Sequence, residues 1–257
     1  MKYAIIAAGE GSRLAKEGIV TPKPLVCLNG EPMLDRLIRL FAANNASSVS
    51  IIINEEMDEV YEHVNNTKYP VPLQIIRKST PSSMHSFYEL SHTLGNERFC
   101  LTTVDTVFRE DEFSAYIEDF NQCVVNSHFA GDFNPCAVEG FFSGTFHQCV
   151  ADGLFAVTGY IDDEKPLYVE TDENMTIRGF YDENVSNARY VSGGVYCLNS
   201  SSIPLLKVAV EAGMSKMRNF QRHLLREGFL LKAWPFAKII DVDRPDDIRK
   251  GADLIRN

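Results

Sequence analysis

Nowhere in the 257 residues is there an apolar run close to the roughly 18 positions that a membrane-spanning helix needs. The first such run, Tyr3–Ala8, breaks at Gly9 and is too short for the apolar core of a secretion signal, so a cytoplasmic protein is expected. Positive charge is scarce as well: 25 Lys and Arg against 35 Asp and Glu give a net charge of −10. That balance argues against nucleic acid or an anionic membrane as partner. The six cysteines (Cys27, Cys100, Cys123, Cys136, Cys149 and Cys197) are scattered without a C-x-x-C pair, which reads as reduced thiols rather than a disulfide framework. Repeats and low-complexity linkers are missing too, so a single domain over residues 1–257 is the simplest organisation. With 45% hydrophobic residues, the chain can still bury a large core.

The first half alternates short apolar runs with helix-period segments. Strands are expected at Tyr3–Ala8, Val49–Ile53, Leu73–Ile76 and Phe99–Val104, and helices at Pro32–Asn44, Glu56–Val64, Ser83–Leu94 and Asp111–Phe120. This predicts an α/β fold: a Rossmann-like, mostly parallel central sheet flanked by helices. Ligands of such sheets bind beyond the carboxyl ends of the strands, here at the loops after strands one and four. The pattern dissolves between about 121 and 152, which suggests an insertion, a lid or an oligomer contact. His128 and His147 fall there with Cys123, Cys136 and Cys149, but their spacing fits no zinc site. Strands return at Leu154–Thr158, Leu167–Thr171, Thr176–Phe180 and Tyr190–Leu198. Helices are then expected near Ile203–Ala212 and Lys216–Arg226, a strand at Leu230–Trp234 and a last helix at Pro245–Ile255.

The segment Ala7-Ala8-Gly9-Glu10-Gly11-Ser12-Arg13-Leu14 follows directly on the first strand. Two glycines let a backbone turn tightly and bring its N–H groups against a phosphate. It is neither the G-x-G-x-x-G dinucleotide fingerprint nor a Walker A loop, and taken alone it is equally an ordinary strand-to-loop turn. Thr21-Pro22-Lys23-Pro24-Leu25 then offers a lysine held stiffly between prolines, a second cation beside Arg13.

These two motifs, followed in order by Asn29-Gly30-Glu31-Pro32-Met33-Leu34, resemble the sugar-1-phosphate nucleotidyltransferases, the nucleoside-diphosphate-sugar pyrophosphorylases. The resemblance implies the nucleotide-diphospho-sugar transferase fold, with the loop from Ala7 and Ala8 through Gly9, Gly11 and Ser12 around the nucleotide. By the same resemblance Arg13 contacts the β- and γ-phosphates, and Lys23 stabilises the charge that develops at the α-phosphate. Asp105, after strand four, stands where the family keeps a ligand of Mg²⁺, a hard cation shared with phosphates. A helix-capping or turn aspartate is the other reading of an isolated residue there.

A second ligand is expected from Asp241-Val242-Asp243, which resembles the late metal motif. Residues two apart in a strand face the same side, so both carboxylates are candidates, Asp243 ahead of Asp241. Asp246 and Asp247 read instead as first-turn carboxylates of the last helix. Ser82 and Ser83 occupy the place of a base-reading turn, or serve as a helix cap. Ser192-Gly193-Gly194 resembles a small-residue turn against the acceptor, and is equally consistent with a strand bulge. The Glu-Lys-Pro by which many relatives hold the sugar phosphate is absent. Arg178, Arg189 and Arg218 are candidates to replace its lysine, Arg189 being grouped with Gly193 and Gly194.

The expected reaction is an NTP and a sugar 1-phosphate giving an NDP-sugar and pyrophosphate, with Mg²⁺ as cofactor and, as a further possibility, a homo-oligomeric assembly. One rival is a cytidylyltransferase for a small phosphorylated alcohol such as phosphocholine, or for a phosphonate. A rival of another class is a non-catalytic nucleotide-sugar sensor.

Overall fold

The apolar run at the N-terminus forms strand β1 (Lys2–Ala7), buried from Tyr3 onward. In the computed structural model, which describes residues 1–123, 150–162, 164–184 and 187–256, it is the central strand of a nine-stranded mixed sheet. Most of the 121–152 segment, with His128, Cys136, His147 and Cys149, lies outside the described residues. Strand β1 pairs in parallel with β4 (Ser48–Ile53) on one side and β6 (Phe99–Thr103) on the other. Strand β5 (Leu73–Arg77) extends the parallel half beyond β4. The chain therefore reverses its direction of travel across the sheet at β1, and the crevice beyond its carboxyl end is where α/β sheets take ligands.

The other half is largely antiparallel. Strand β11 (Tyr190–Leu198) pairs with β6, with β8 (Gly153–Thr158) and with β9 (Tyr168–Thr171). Strand β10 (Ile177–Tyr181) closes that edge against β9, and β12 (Leu231–Phe236) runs parallel to β8. The helices cover both faces. On one, α2 (Met33–Ala43), α3 (Asp58–Asn66) and α5 (Glu110–Gln122) bury Leu37, Phe41, Val60, Phe113 and Phe120. On the other, α4 (Ser83–Leu94), α6 (Ser202–Glu211) and α7 (Met217–Arg226) bury Phe87, Leu90, Leu206 and Phe220.

Three small elements hold the crevice in shape, and none of them has a period long enough to show in the sequence. A short helix α1 (Ser12–Lys16) follows the Gly-rich loop, and a hairpin of β2 (Cys27–Leu28) and β3 (Glu31–Pro32) leads into α2. A two-residue ladder joins β7 (Thr106–Val107) to β13 (Ile240–Asp241), pairing Thr106 with Asp241. A satellite core of Leu14, Val26, Leu28, Met33, Val107 and Val242 packs these pieces together under the last helix, α8 (Pro245–Arg256). This cluster fixes loops from both ends of the chain in one place. No helix among the described residues is long and apolar enough to cross a membrane.

Candidate active site

Gly11 sits at φ +62°, a conformation that costs an L side chain about 1–2 kcal/mol. A Cβ there would lie 3.1 Å from Cβ of Lys23, so the glycine also lets the loop rest directly against the lysine. The two sequence motifs are thus one unit. Pro22 and Pro24 flank a single 3₁₀ turn at Lys23–Leu25, and the Lys23 side chain is only 9% exposed.

The Lys23 ammonium donates to Asp105 and, at 2.7 Å, to Oδ1 of Asp243; Oδ2 of Asp243 accepts from Arg13 at 2.6 Å. Asp105 reaches this point because β6 ends at Thr103. Asp243 reaches it because the β7–β13 ladder, extended by Val242 N–H donating to the Asp105 carbonyl at 3.0 Å, lays the late motif beside the β6 loop. Burial lowers the pKa of Lys23, but the two carboxylates outweigh it and hold the ammonium above its ordinary value. Burial likewise pushes Asp105 up, but Lys23, helped by hydrogen bonds from Thr103 and the backbone, more than reverses this and holds the carboxyl below its ordinary value. Asp241 differs. Its side chain opens on water in a cleft but is ringed by protein atoms, accepts only from Thr106 Oγ1 at 3.2 Å, and has no ion-pair partner among the described residues. Desolvation and the nearby Asp105 push its carboxyl up to about 7.

Two cavities meet at this cluster. The first, about 580 Å³, is lined by Ala8, Gly9, Gly11, Ser12, Arg13, Lys23, Ser82, Ser83 and Asp105 among others. The second, about 440 Å³, is lined by Tyr160, Asp162, Glu164, Gly193, Asp241, Arg244, Asp247 and Lys250 among others. Arg13 and Asp243 stand in the walls of both.

Most of the residues singled out in the sequence converge here, but five do not. Ala7 is 1% exposed and packs in the core between sheet and helices, because strand alternation turns its side chain away from the crevice that Ala8 and Gly9 line. Gly194, at φ +75°, shapes the strand instead of lining the second cavity: a Cβ would meet Thr106 Oγ1 at 3.1 Å, within a β11–β8 register shift. Arg189 is exposed and places its guanidinium over the Tyr190 ring, outside both cavities. Arg178 and Arg218 are engaged elsewhere, by Asp172 and Asp182.

Gly193 does line the acceptor-side cavity, where a Cβ would fall 2.2 Å from Ile239 Cδ1. Ser82 caps α4, accepting the His85 N–H at 3.4 Å, while still lining the first cavity, so its two readings hold together. Asp247 lies in the first turn of α8, as expected of it, and also accepts from the N–H groups of Asp243 (3.3 Å) and Arg244 (3.0 Å). The β13 strand ends at Asp241, and the backbone then turns, Asp243 N–H donating to the Asp241 carbonyl. The two carboxylates therefore part, and only Asp243 touches Lys23 and Arg13.

Sequence reasoning missed Asn54 in the first cavity and Tyr160, Arg244 and Lys250 in the second. Lys250 carried a signal: it lies one helical turn after Asp246 and Asp247, on the same face of a helix that begins beside the late motif. Asn54 and Tyr160 sit in irregular loops and carried none.

The fold is shared with solved nucleotidyltransferases. Over 100% of this chain and 96% of the other, it superimposes on the inositol-1-phosphate CTP transferase from T. maritima with a TM-score of 0.72 at 16% identity. A Bacillus anthracis protein assigned as a glucose-1-phosphate thymidylyltransferase gives 0.77 at 18% identity, with the same coverage. In sequence, the chain is 29% identical over 76 residues to a glucose-1-phosphate cytidylyltransferase of Salmonella typhimurium, covering 27% of this chain and 30% of that protein. It is 32% identical over 74 residues to a 2-aminoethylphosphonate cytidylyltransferase of Lancefieldella rimae, covering 25% and 30%. The matched stretch thus spans under a third of these relatives' length. The family model of the MobA-like NTP transferase domain matches residues 3–157, from β1 through the Gly-rich loop, Lys23 and Asp105 to the end of β8. The chain belongs to the MobA-like NTP transferase family.

Proposed function

We propose that this protein transfers a nucleotidyl group from an NTP to a phosphorylated small molecule, of which a sugar 1-phosphate is the type case, with release of pyrophosphate. The observation that carries this reading is the meeting of the two cavities at Arg13 and Asp243. A triphosphate held by the Gly-rich loop in the first cavity and a phosphate entering from the second would face each other across Lys23. The acceptor oxygen attacks the α-phosphorus, the new P–O bond forms as the bond to the β-phosphate oxygen breaks, and pyrophosphate leaves with that electron pair. No general base is needed, because a phosphate dianion is already a nucleophile. Lys23, stiffly mounted and fully charged, offsets the negative charge that grows on the α-phosphate, and Arg13 holds the departing phosphates.

The donor set fits Mg²⁺. Asp105 and Asp243 converge on one ammonium, so their oxygens lie close enough to share one small cation, and Mg²⁺ needs only one or two carboxylates besides water and phosphate oxygens. When bound, the ion supplies positive charge to the reacting phosphates. Asp241, bonded to Thr106 and facing the second cavity, is left to the acceptor. The free thiols of Cys27, Cys100 and Cys197 support a reducing, cytoplasmic setting.

A second reading of the acceptor is favoured by the second cavity itself. Its lining carries Asp162, Glu164, Asp241, Asp243, Asp246 and Asp247 against Arg13, Arg244 and Lys250, and all three cations are paired to those carboxylates. Tyr160 adds an aromatic face over which Lys238 Nζ already sits at 4.1 Å. An ammonium-bearing phosphate or phosphonate matches such a wall better than a neutral sugar does. Pyrophosphate release from each NTP paired with glucose 1-phosphate, phosphocholine and 2-aminoethylphosphonate tests both readings. Turnover confined to the amine-bearing acceptors would select the second. No release from any pairing, despite tight nucleotide binding, would overturn transfer and favour a nucleotide-sugar sensor.

A further inference from the structure

A third cavity, of about 490 Å³, lies on the β10 edge of the sheet and shares no lining residue with the other two. Its walls come from β10 (Arg178, Gly179, Phe180, Tyr181), from Met214, and from one face of α7 (Asn219, Arg222, Leu225, Arg226). In a protein of net charge −10 it is lined by three arginines and no carboxylate. Arg178 is held by Asp172 and Arg222 by Asp182, which fixes both guanidiniums in place, whereas Arg226 has no partner among the described residues. Leu225 and Met214, both partly buried, give an apolar floor.

The cavity also has a built aromatic wall. A Cβ on Gly179 would lie 2.4–2.6 Å from the Tyr181 ring, so the glycine is what allows that ring to lie back along its own strand. The Tyr181 hydroxyl donates to Glu170 Oε2 at 2.8 Å on the neighbouring strand and pins the ring there. Fixed guanidiniums, one free guanidinium, an apolar floor and a pinned aromatic ring together suit a ligand with a planar ring and a phosphate.

We propose that this cavity binds a nucleoside phosphate at a site separate from the transfer centre. The base would lie against Tyr181, Met214 and Leu225, and the phosphates at Arg226 and Arg178. Helix α7 links this site to the acceptor cavity. From the adjoining stripe of the helix, one turn before Leu225, Gln221 Nε2 donates to Tyr196 Oη at 2.9 Å, and Tyr196 Oη lies 3.5 Å from Ser192 Oγ in the acceptor wall. Arg218 donates to the carbonyl of Lys165 at 3.0 Å, next to Pro166 of that wall. A ligand on α7 therefore has a direct mechanical route to acceptor affinity, and the coupling would be reciprocal.

The test is the binding stoichiometry of CDP and of UDP, measured by calorimetry on the intact protein, with inorganic pyrophosphate as the control lacking a base. Two sites per chain are expected. Arg226→Glu should weaken only the second, by about tenfold or more for the loss and reversal of one charge-assisted contact, with basal pyrophosphate release unchanged. Arg13→Ala should weaken only the first, so the outcome stands apart from whether transfer itself occurs. Tyr181→Leu should weaken the nucleoside diphosphates at the second site but not pyrophosphate. One site per chain, a second site indifferent to Arg226→Glu, or a second site that holds pyrophosphate as tightly as it holds CDP and UDP overturns the proposal.

Discussion

Replacing Asp243 by Asn should make the metal-free protein bind nucleotide more tightly, although it removes a residue of the proposed centre. In the resting site Asp243 engages both phosphate-binding cations, Lys23 at 2.7 Å and Arg13 at 2.6 Å, so an incoming triphosphate must compete with a carboxylate for each. The Arg13 pair is well exposed, 57% and 38% for its two side chains, and such pairs contribute only about 0.2–1 kcal/mol. The Lys23 pair is drier but shared with Asp105, so its release adds about 1 kcal/mol. The substitution also removes like-charge repulsion between carboxylate and phosphates. The sum is on the order of 1–2 kcal/mol, or roughly five- to thirtyfold in dissociation constant. The assay is titration of NTP in excess chelator, with the same proteins then compared for turnover in Mg²⁺, where the variant should lose about a hundredfold or more. Weaker metal-free binding by Asp243→Asn would refute the view that this carboxylate sequesters the phosphate-binding cations.

Three further outcomes follow from the geometry. Gly11→Ala forces a Cβ into a left-handed turn and against Lys23, so the melting temperature should fall by roughly 3–6 °C; an unchanged value would show that the loop is not held by that contact. Gly193→Ala places a methyl on Ile239 at the acceptor wall and should raise KM for the acceptor while leaving KM for the NTP alone; equal effects on both would contradict the assignment of the second cavity. Burial pushes the Asp172 carboxyl up, but the N–H groups of Thr176 and Asn174 and the guanidinium of Arg178 overcome this and hold it below its ordinary value. Its contribution to stability is therefore complete above pH about 4 and lost as pH falls through the depressed pKa. Urea midpoints of wild type and Asp172→Asn should differ at pH 6 and draw together as pH falls below the ordinary carboxylate pKa; parallel curves would remove Asp172 from the acid sensitivity.

The parallel half of the sheet was legible because β1, β4 and β6 are short buried runs and each helix carries an apolar stripe, as at Leu34, Leu37, Ile38 and Phe41. The Ser82 cap and the bounds Ser83–Leu94 and Tyr190–Leu198 agree with the sequence reading. Arg36 did not show itself: it lies off that stripe, on the side of the helix the pattern leaves to solvent, yet is 1% exposed and donates to the Phe108 carbonyl at 2.6 Å. Lys23 and Asp105 could be named from motifs, but their ion pair could not, since it depends on where β6 ends. The separate fates of Asp241 and Asp243 turned on a two-residue ladder and the turn after it, features with no periodicity to read. The acceptor wall was read least well. It is assembled from Tyr160, Gly193, Arg244 and Lys250, which come from four different elements, and only the folded chain brings them together.

The central claim is that Lys23 stands at the point of nucleotidyl transfer. A single-turnover measurement with NTP labelled at the α-phosphate tests it most directly, following label into the acceptor-linked product for wild type and Lys23→Ala. The account predicts transfer of the α-phosphate by the wild type, slowed by roughly a thousandfold in the variant, with nucleotide affinity changed far less. Label transfer by Lys23→Ala at a near-wild-type rate, or its absence in the wild type with every acceptor tried, would contradict it.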